Sequence, residues 1–259
     1  GLYGGDEALR NNIPTNGIEL CTVVEMMFSL EQMITITGDV SFADHIERIT
    51  YNALPTQVTD DFMNRQYFQQ ANQVKITRAS RGFSINHHGT DVCYGLLTGY
   101  PCCTSNMHQG WPIYTHNLWY ATPDRGLAVM MYAPSEVTAK VGEGSEITIT
   151  EDTNYPFEDK IRFHIHTTEE GNISFPLKLR IPAWSKDASV IINGEEHSRP
   201  EANQVITINQ EWSDNDVVEL NIPAEIKLNR CHEKSVSVDR GPLNFVLKVE
   251  DEWKKVKNN

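Results

Sequence analysis

The sequence predicts an α+β protein in two parts, helices in residues 1–124 followed by an antiparallel β-sandwich in residues 125–259. Apolar residues recur with the period of a helix up to about residue 122 and with a period of two beyond about Arg125. In the second part, Asn193-Gly194 between alternating runs marks a tight hairpin.

Leu20, Val23, Val24, Met27, Leu30 and Ile34 share one face of an amphipathic helix, and Gly38 is its expected stop. Ser41 is the expected N-cap of a second helix, with Asp44 in the electropositive first turn. Phe42, Ile46 and Ile49 form its inner face, and Pro55 should end it. A short join makes the two helices a packed hairpin. A third helical stretch from Asn106 carries Met107, Trp111, Tyr114 and Leu118, with Pro112 expected to break or kink it. Strands follow at 146–150, 161–166, 175–181, 189–192, 205–208, 217–220 and 243–247. Such regular short strands read as a sandwich. Pro176 cannot donate to a ladder and belongs at an edge or a bulge.

A length of 259 residues suits one large domain or two ordinary ones. Apolar residues at 39% and charged residues at 22% allow both a core and a hydrated surface. With 22 Lys plus Arg against 35 Asp plus Glu, the net charge of −13 argues against nucleic acid as a partner. No apolar run approaches the roughly 18–20 residues of a membrane span. The chain opens without Met or a signal-like segment and reads as a fragment, which leaves its compartment unassigned.

The residues able to carry chemistry cluster in the helical part. Five cysteines cannot all pair within one chain, and adjacent Cys102-Cys103 are poor partners for each other. Two thiols on one turn can instead reach one metal ion. Glu19 and Cys21 stand two apart at a helix entrance, where their side chains converge; mid-helix they would diverge by roughly 200°. One oxygen and three sulfurs suit tetrahedral zinc. The competing reading makes Cys21 a small core residue and the pair simply buried.

Asp6-Glu7 could supply a general acid/base or be a solvated loop, and Asp60-Asp61 reads as a turn. His164 and His166 should face water opposite Phe163 and Ile165. His87-His88 fits a cleft or a loop equally. His108 and Trp111 could face a sugar, with Trp111 otherwise in the core. Glu47, between core positions Ile46 and Ile49, is a surface residue or a partly buried acid.

Taken in order, these segments resemble the β-L-arabinofuranosidases of glycoside hydrolase family 127 and relatives over nearly the whole chain. The resemblance rests on Asp6-Glu7, on Gly17-Ile18-Glu19-Leu20-Cys21 and on Tyr100-Pro101-Cys102-Cys103-Thr104-Ser105-Asn106. In the sandwich it rests on Tyr155-Pro156-Phe157, Leu179 to Trp184, Val190 to Gly194 and Asp239 to Leu243. It implies an (α/α)6 toroid followed by β-sandwich domains, with only the C-terminal helices of the toroid present. It implies zinc held by Glu19, Cys21, Cys102 and Cys103, with Cys102 as nucleophile and Glu7 as acid/base; Asp6 is the neighbouring alternative. Glu47 and His108 are weaker matches to substrate-facing positions.

The resemblance thus implies a retaining glycoside hydrolase acting on an L-arabinofuranose-containing oligosaccharide or glycan. The alternative is a non-catalytic carbohydrate-binding or structural module with a structural zinc. About 120 residues hold about four or five helices, far short of a twelve-helix toroid. Apolar faces left open would favour association, a homo-oligomer included.

Overall fold

The computed structural model describes residues 17–70, 73, 76, 78, 90–231, 234–248, 250, 252 and 254. A two-residue strand β1 (Ile18–Glu19) leads into helix α1 (Leu20–Thr37). Leu20, Val23, Val24, Met27 and Ile34 are its buried stripe, with Leu30 packed beside them. Gly38, left-handed at φ 68°, ends it by donating its N–H to the Ile34 carbonyl at 2.8 Å. By length and composition α1 could cross a membrane, contrary to the expectation that no run reaches that length. Its stripe, however, packs into the helical core.

Helix α2 (Ser41–Arg48) differs from expectation at its start. Ser41 lies inside the first turn with no side-chain cap, and the Asp39 carboxylate instead accepts the Ser41 N–H at 2.9 Å. Pro55 does not end the run either. A π-helical turn (Ile49–Ala53), with the Leu54 N–H donating to the Ile49 carbonyl, leads into α3 (Leu54–Thr56). Pro55 is the second residue of α3, directly after the π turn. The third stretch is two helices, α4 (Cys102–Met107) and α5 (Gly110–His116), and it begins at Cys102 rather than Asn106. The interruption falls at His108-Gln109, so Pro112 sits in the first turn of α5 and kinks nothing. Strand β2 (Phe68–Gln69) pairs antiparallel with β1, setting Glu19 opposite Phe68.

The period-two region forms the sandwich. One sheet has six strands in the order β10-β9-β12-β7-β6-β5: Glu195–Ser198, Ser189–Ile192, Val217–Asn221, Lys160–Thr167, Ser145–Thr153 and Ser135–Val141. The other has four, β11-β8-β4-β3: Gln204–Trp212, Ile173–Ile181, Leu127–Val129 and Trp119–Ala121. Its first strand therefore begins upstream of residue 125. Asn193 and Gly194 make the β9–β10 turn at φ 52° and 85°, a backbone that glycine adopts without strain. Ile149, Phe163, Ile165 and Leu220 of one sheet meet Phe175, Leu177, Leu179 and Trp212 of the other in a single core. Trp212 satisfies its indole N–H on the Phe175 carbonyl at 3.0 Å.

Strand β8 is interior to its sheet and pairs with β11 without a register shift, so Pro176 is at neither an edge strand nor a bulge. Pairing with β4 begins only at Leu177, and that flank of Pro176 needs no donor. A three-stranded meander follows: β13 (Ile226–Arg230), β14 (Val236–Arg240) and β15 (Leu243–Phe245).

A buried polar junction joins the two halves. Arg180 of β8 is fully buried, pairs with Asp44 of α2, and lies 2.6 Å from the Glu47 carboxylate. Glu47 also accepts the Tyr132 N–H at 3.0 Å and the Tyr155 hydroxyl at 2.5 Å. Arg48 extends the junction to Asp239 of β14 at 2.8 Å.

Candidate active site

Two backbone features bring the distant cysteines together. Glu19 ends β1 in an extended conformation (φ −77°, ψ 137°) and caps α1, so its side chain leaves the chain before the helix begins to wind. Cys21 follows in the first turn. The convergence expected at a helix entrance is therefore present. The pairing of β1 with β2 holds this entrance in place, and the Leu20 N–H adds a bond to the Tyr67 carbonyl at 3.1 Å. Gln57, fully buried, donates to the Ile18 carbonyl at 3.0 Å. Cys102 and Cys103 occupy the first turn of α4, which packs against α1.

One ligand atom from each of Glu19, Cys21, Cys102 and Cys103 lies within 4.8 Å of every other. The Cys21 and Cys103 sulfurs are 3.3 Å apart, and Glu19 Oε1 is 3.8 Å from Cys102 Sγ and 3.9 Å from Cys103 Sγ. Sulfurs at tetrahedral corners about 2.3 Å from a common centre stand about 3.8 Å apart. These four side chains fit a thiolate-rich zinc site. Cys103 and Glu19 are buried, Cys21 is half-buried, and Cys102 is exposed.

Crowding makes the cluster a poor place for protonated thiols to ionise on their own. The hydrogen bond with Cys103, and then burial, push the Cys21 thiol far above the usual range. Burial pushes Cys102 up to about 11, with the hydrogen bond to Cys21 adding to it. Four groups that become anions at one point need a cation to make that shared form favourable.

Arg65 and Tyr67, neither apparent as site residues from the sequence, complete the surroundings. Tyr67 is buried; desolvation first, and then the Glu19 charge, hold its phenol protonated well above the ordinary range. Gly99 stands so close that a Cβ there would meet the Tyr67 ring at 2.5 Å, and its φ of 60° suits glycine. No periodicity marks Arg65 or Tyr67. The available signal is the polar pair Arg65-Gln66 set directly before the aromatic pair Tyr67-Phe68.

The other candidate residues fall elsewhere. Glu47 is fully buried with both oxygens engaged at the junction, which corrects its expected surface place and leaves no oxygen turned to a sugar. His108 is exposed at the end of α4 opposite the cysteine pair. Trp111 packs with the helical core, as its plainer reading held. His164 and His166 lie on the outer face of β7, with His166 3.7 Å from Asp214. Asp61 accepts from Thr59 and from the Met63 N–H in a local turn. Asp6, Glu7, His87 and His88 lie outside the described residues.

Solved structures share this fold. A glycoside hydrolase superposes with a TM-score of 0.72 at 23% identity over 88% of this chain and 37% of its own. A GH127 β-L-arabinofuranosidase from Geobacillus stearothermophilus gives 0.73 at 22% identity, over 94% and 39%. A GH127 β-arabinofuranosidase gives 0.71 at 22%, over 88% and 37%. The chain thus spans well under half the length of these proteins. No curated protein matches the sequence. Two family models do: "Beta-L-arabinofuranosidase, GH127 catalytic domain" over residues 3–116, and the GH127 middle domain over residues 126–224. Together with the order of the motifs, these matches make the chain a member of the β-L-arabinofuranosidase family, glycoside hydrolase family 127.

Proposed function

We propose that this chain carries the catalytic centre and the adjoining sandwich of a retaining, β-L-arabinofuranosidase-like glycoside hydrolase. Its helices are read as the C-terminal part of an (α/α)6 toroid. The observation that carries the proposal is the convergence of Glu19, Cys21, Cys102 and Cys103, with Cys102 the one exposed member of the four. A structural zinc site has no need to leave one sulfur open.

Glu19, Cys21, Cys102 and Cys103 would hold zinc. Bound there, zinc supplies the charge that keeps the thiols deprotonated at neutral pH. Cys102 Sγ attacks the anomeric carbon, forming a C–S bond as the glycosidic C–O bond breaks. Glu7 delivers its proton to the departing oxygen. Water then loses a proton to Glu7 and displaces the sulfur from the sugar. Two inversions leave the configuration retained. The leaving group and its glycan come from an L-arabinofuranose-containing substrate.

Full-length protein incubated with an aryl β-L-arabinofuranoside tests this. Release of the aryl alcohol is expected, and Cys102→Ser should abolish it while leaving the fold intact. Turnover that survives Cys102→Ser assigns the nucleophile elsewhere. No release by the wild type returns the chain to a carbohydrate-binding or structural module.

A further inference from the structure

The cysteine pair sits at the end of a segment with little backbone pairing of its own. Residues 90–101 form neither helix nor strand, so their carbonyls cannot be satisfied by a ladder. Arg65, fully buried, supplies the missing donors. Its Nη2 donates to the carbonyls of Leu96 at 3.0 Å and Tyr100 at 2.7 Å, and its Nη1 donates to the Thr98 carbonyl. Its Nε donates to Thr104 Oγ1 at 3.1 Å. In return, the Gly95 N–H donates to the Arg65 carbonyl at 3.0 Å. Tyr100 lies two residues before Cys102, and Thr104 directly after Cys103, so one guanidinium clasps the chain on both sides of the pair.

Its charge has no ordinary partner. Among the described residues no carboxylate forms an ion pair with Arg65. Burial draws its pKa down, and Cys103, Cys102 and Cys21 are the groups that oppose this most strongly. Three thiolates and a carboxylate around a dication leave a net charge of −2. A buried cation beside such a centre lowers the cost of assembling it.

We propose that Arg65 is the positioning residue of this centre: it sets the loop that presents Cys102 and Cys103 and supplies the buried positive charge that the ligand set lacks. The proposal rests on the zinc reading above. Lysine in its place would keep the charge, but one ammonium cannot serve three converging carbonyls and the Thr104 hydroxyl with the planar fork of arginine.

Zinc affinity, read in full-length protein by competition with a chromophoric chelator, tests it, with thermal melting of the metal-free protein in parallel. Arg65→Lys should weaken zinc binding about 10–100-fold, the range for outer-shell partners of metal ligands. Thr104→Val should weaken it less, and Thr104→Ser should restore it. Metal-free melting of both Thr104 variants should match the wild type, whereas Arg65→Lys should melt lower because loop carbonyls lose their donors. Arg65→Lys binding zinc as tightly as the wild type overturns the proposal and leaves the zinc reading standing. If Arg65→Lys does not fold, the Thr104 pair decides, and equal affinities of Val and Ser overturn the proposal. A wild type that binds no zinc overturns the zinc reading, and this proposal falls with it.

Discussion

The sandwich core and the surroundings of the cysteine centre are stabilised in different ways. Between the sheets, Ile149, Phe163, Leu177 and Leu220 are each fully buried, and each is one of many apolar side chains in the same cluster. Losing part of one leaves the others in contact. Around the centre and at the junction, single buried polar groups hold the chain: Arg65 on loop carbonyls, Gln57 on Ile18, Arg180 on Asp44 and Glu47. Apolar packing tolerates trimming, whereas a buried polar anchor fails completely when its partner is lost.

Arg180→Met sharpens this contrast most. It leaves the buried Glu47 carboxylate without its cation and should cost about 3–5 kcal/mol of stability, read by chemical denaturation. Adding Glu47→Gln removes the stranded charge and should recover most of the loss. A double variant no more stable than the single would show that the loss does not come from the stranded Glu47 charge.

Glu31 of α1 offers an intermediate test. It is fully buried, receives Asn117 Nδ2 at 2.9 Å, and desolvation pushes its pKa from 4.5 to about 8. The folded chain therefore keeps the proton to about pH 8, while the unfolded chain releases it near 4.5. Stability should fall as pH rises across that window. Glu31→Gln should remove the fall, gaining about 2–4 kcal/mol above pH 8 and nothing below pH 4.5. Equal pH slopes for variant and wild type would show that Glu31 is hydrated.

The smallest effect belongs to the redundant region. Ile149→Val should cost about 1 kcal/mol and leave zinc binding unchanged. A change in zinc affinity would show that the sandwich strains the centre across the junction.

The same contrast explains what could be read in advance. Period two located every strand from β6 to β9, together with the Asn193-Gly194 hairpin, because alternation follows directly from which face is buried. The α1 stripe and its stop at Gly38 were legible for the same reason. Helix entries were not. The α2 start depends on Asp39 rather than Ser41, and the passage through Pro55 depends on a π turn that no pattern announces. The gathering of Glu19, Cys21, Cys102 and Cys103 was legible through residue type and the family resemblance, since Glu19 and Cys21 meet at a helix entrance. Arg65 and Tyr67 were not, because a buried polar residue in an irregular segment obeys no period. Glu47 was misplaced because its burial depends on Arg180, 133 positions further along the chain.

X-ray absorption at the zinc edge of the purified full-length protein probes the gathering of these ligands most directly. One zinc per chain, with three sulfurs at about 2.3 Å and one oxygen at about 2.0 Å, is the expected result. A shell of nitrogen and oxygen alone, or no bound zinc, would contradict the assembly of Glu19, Cys21, Cys102 and Cys103 around one ion.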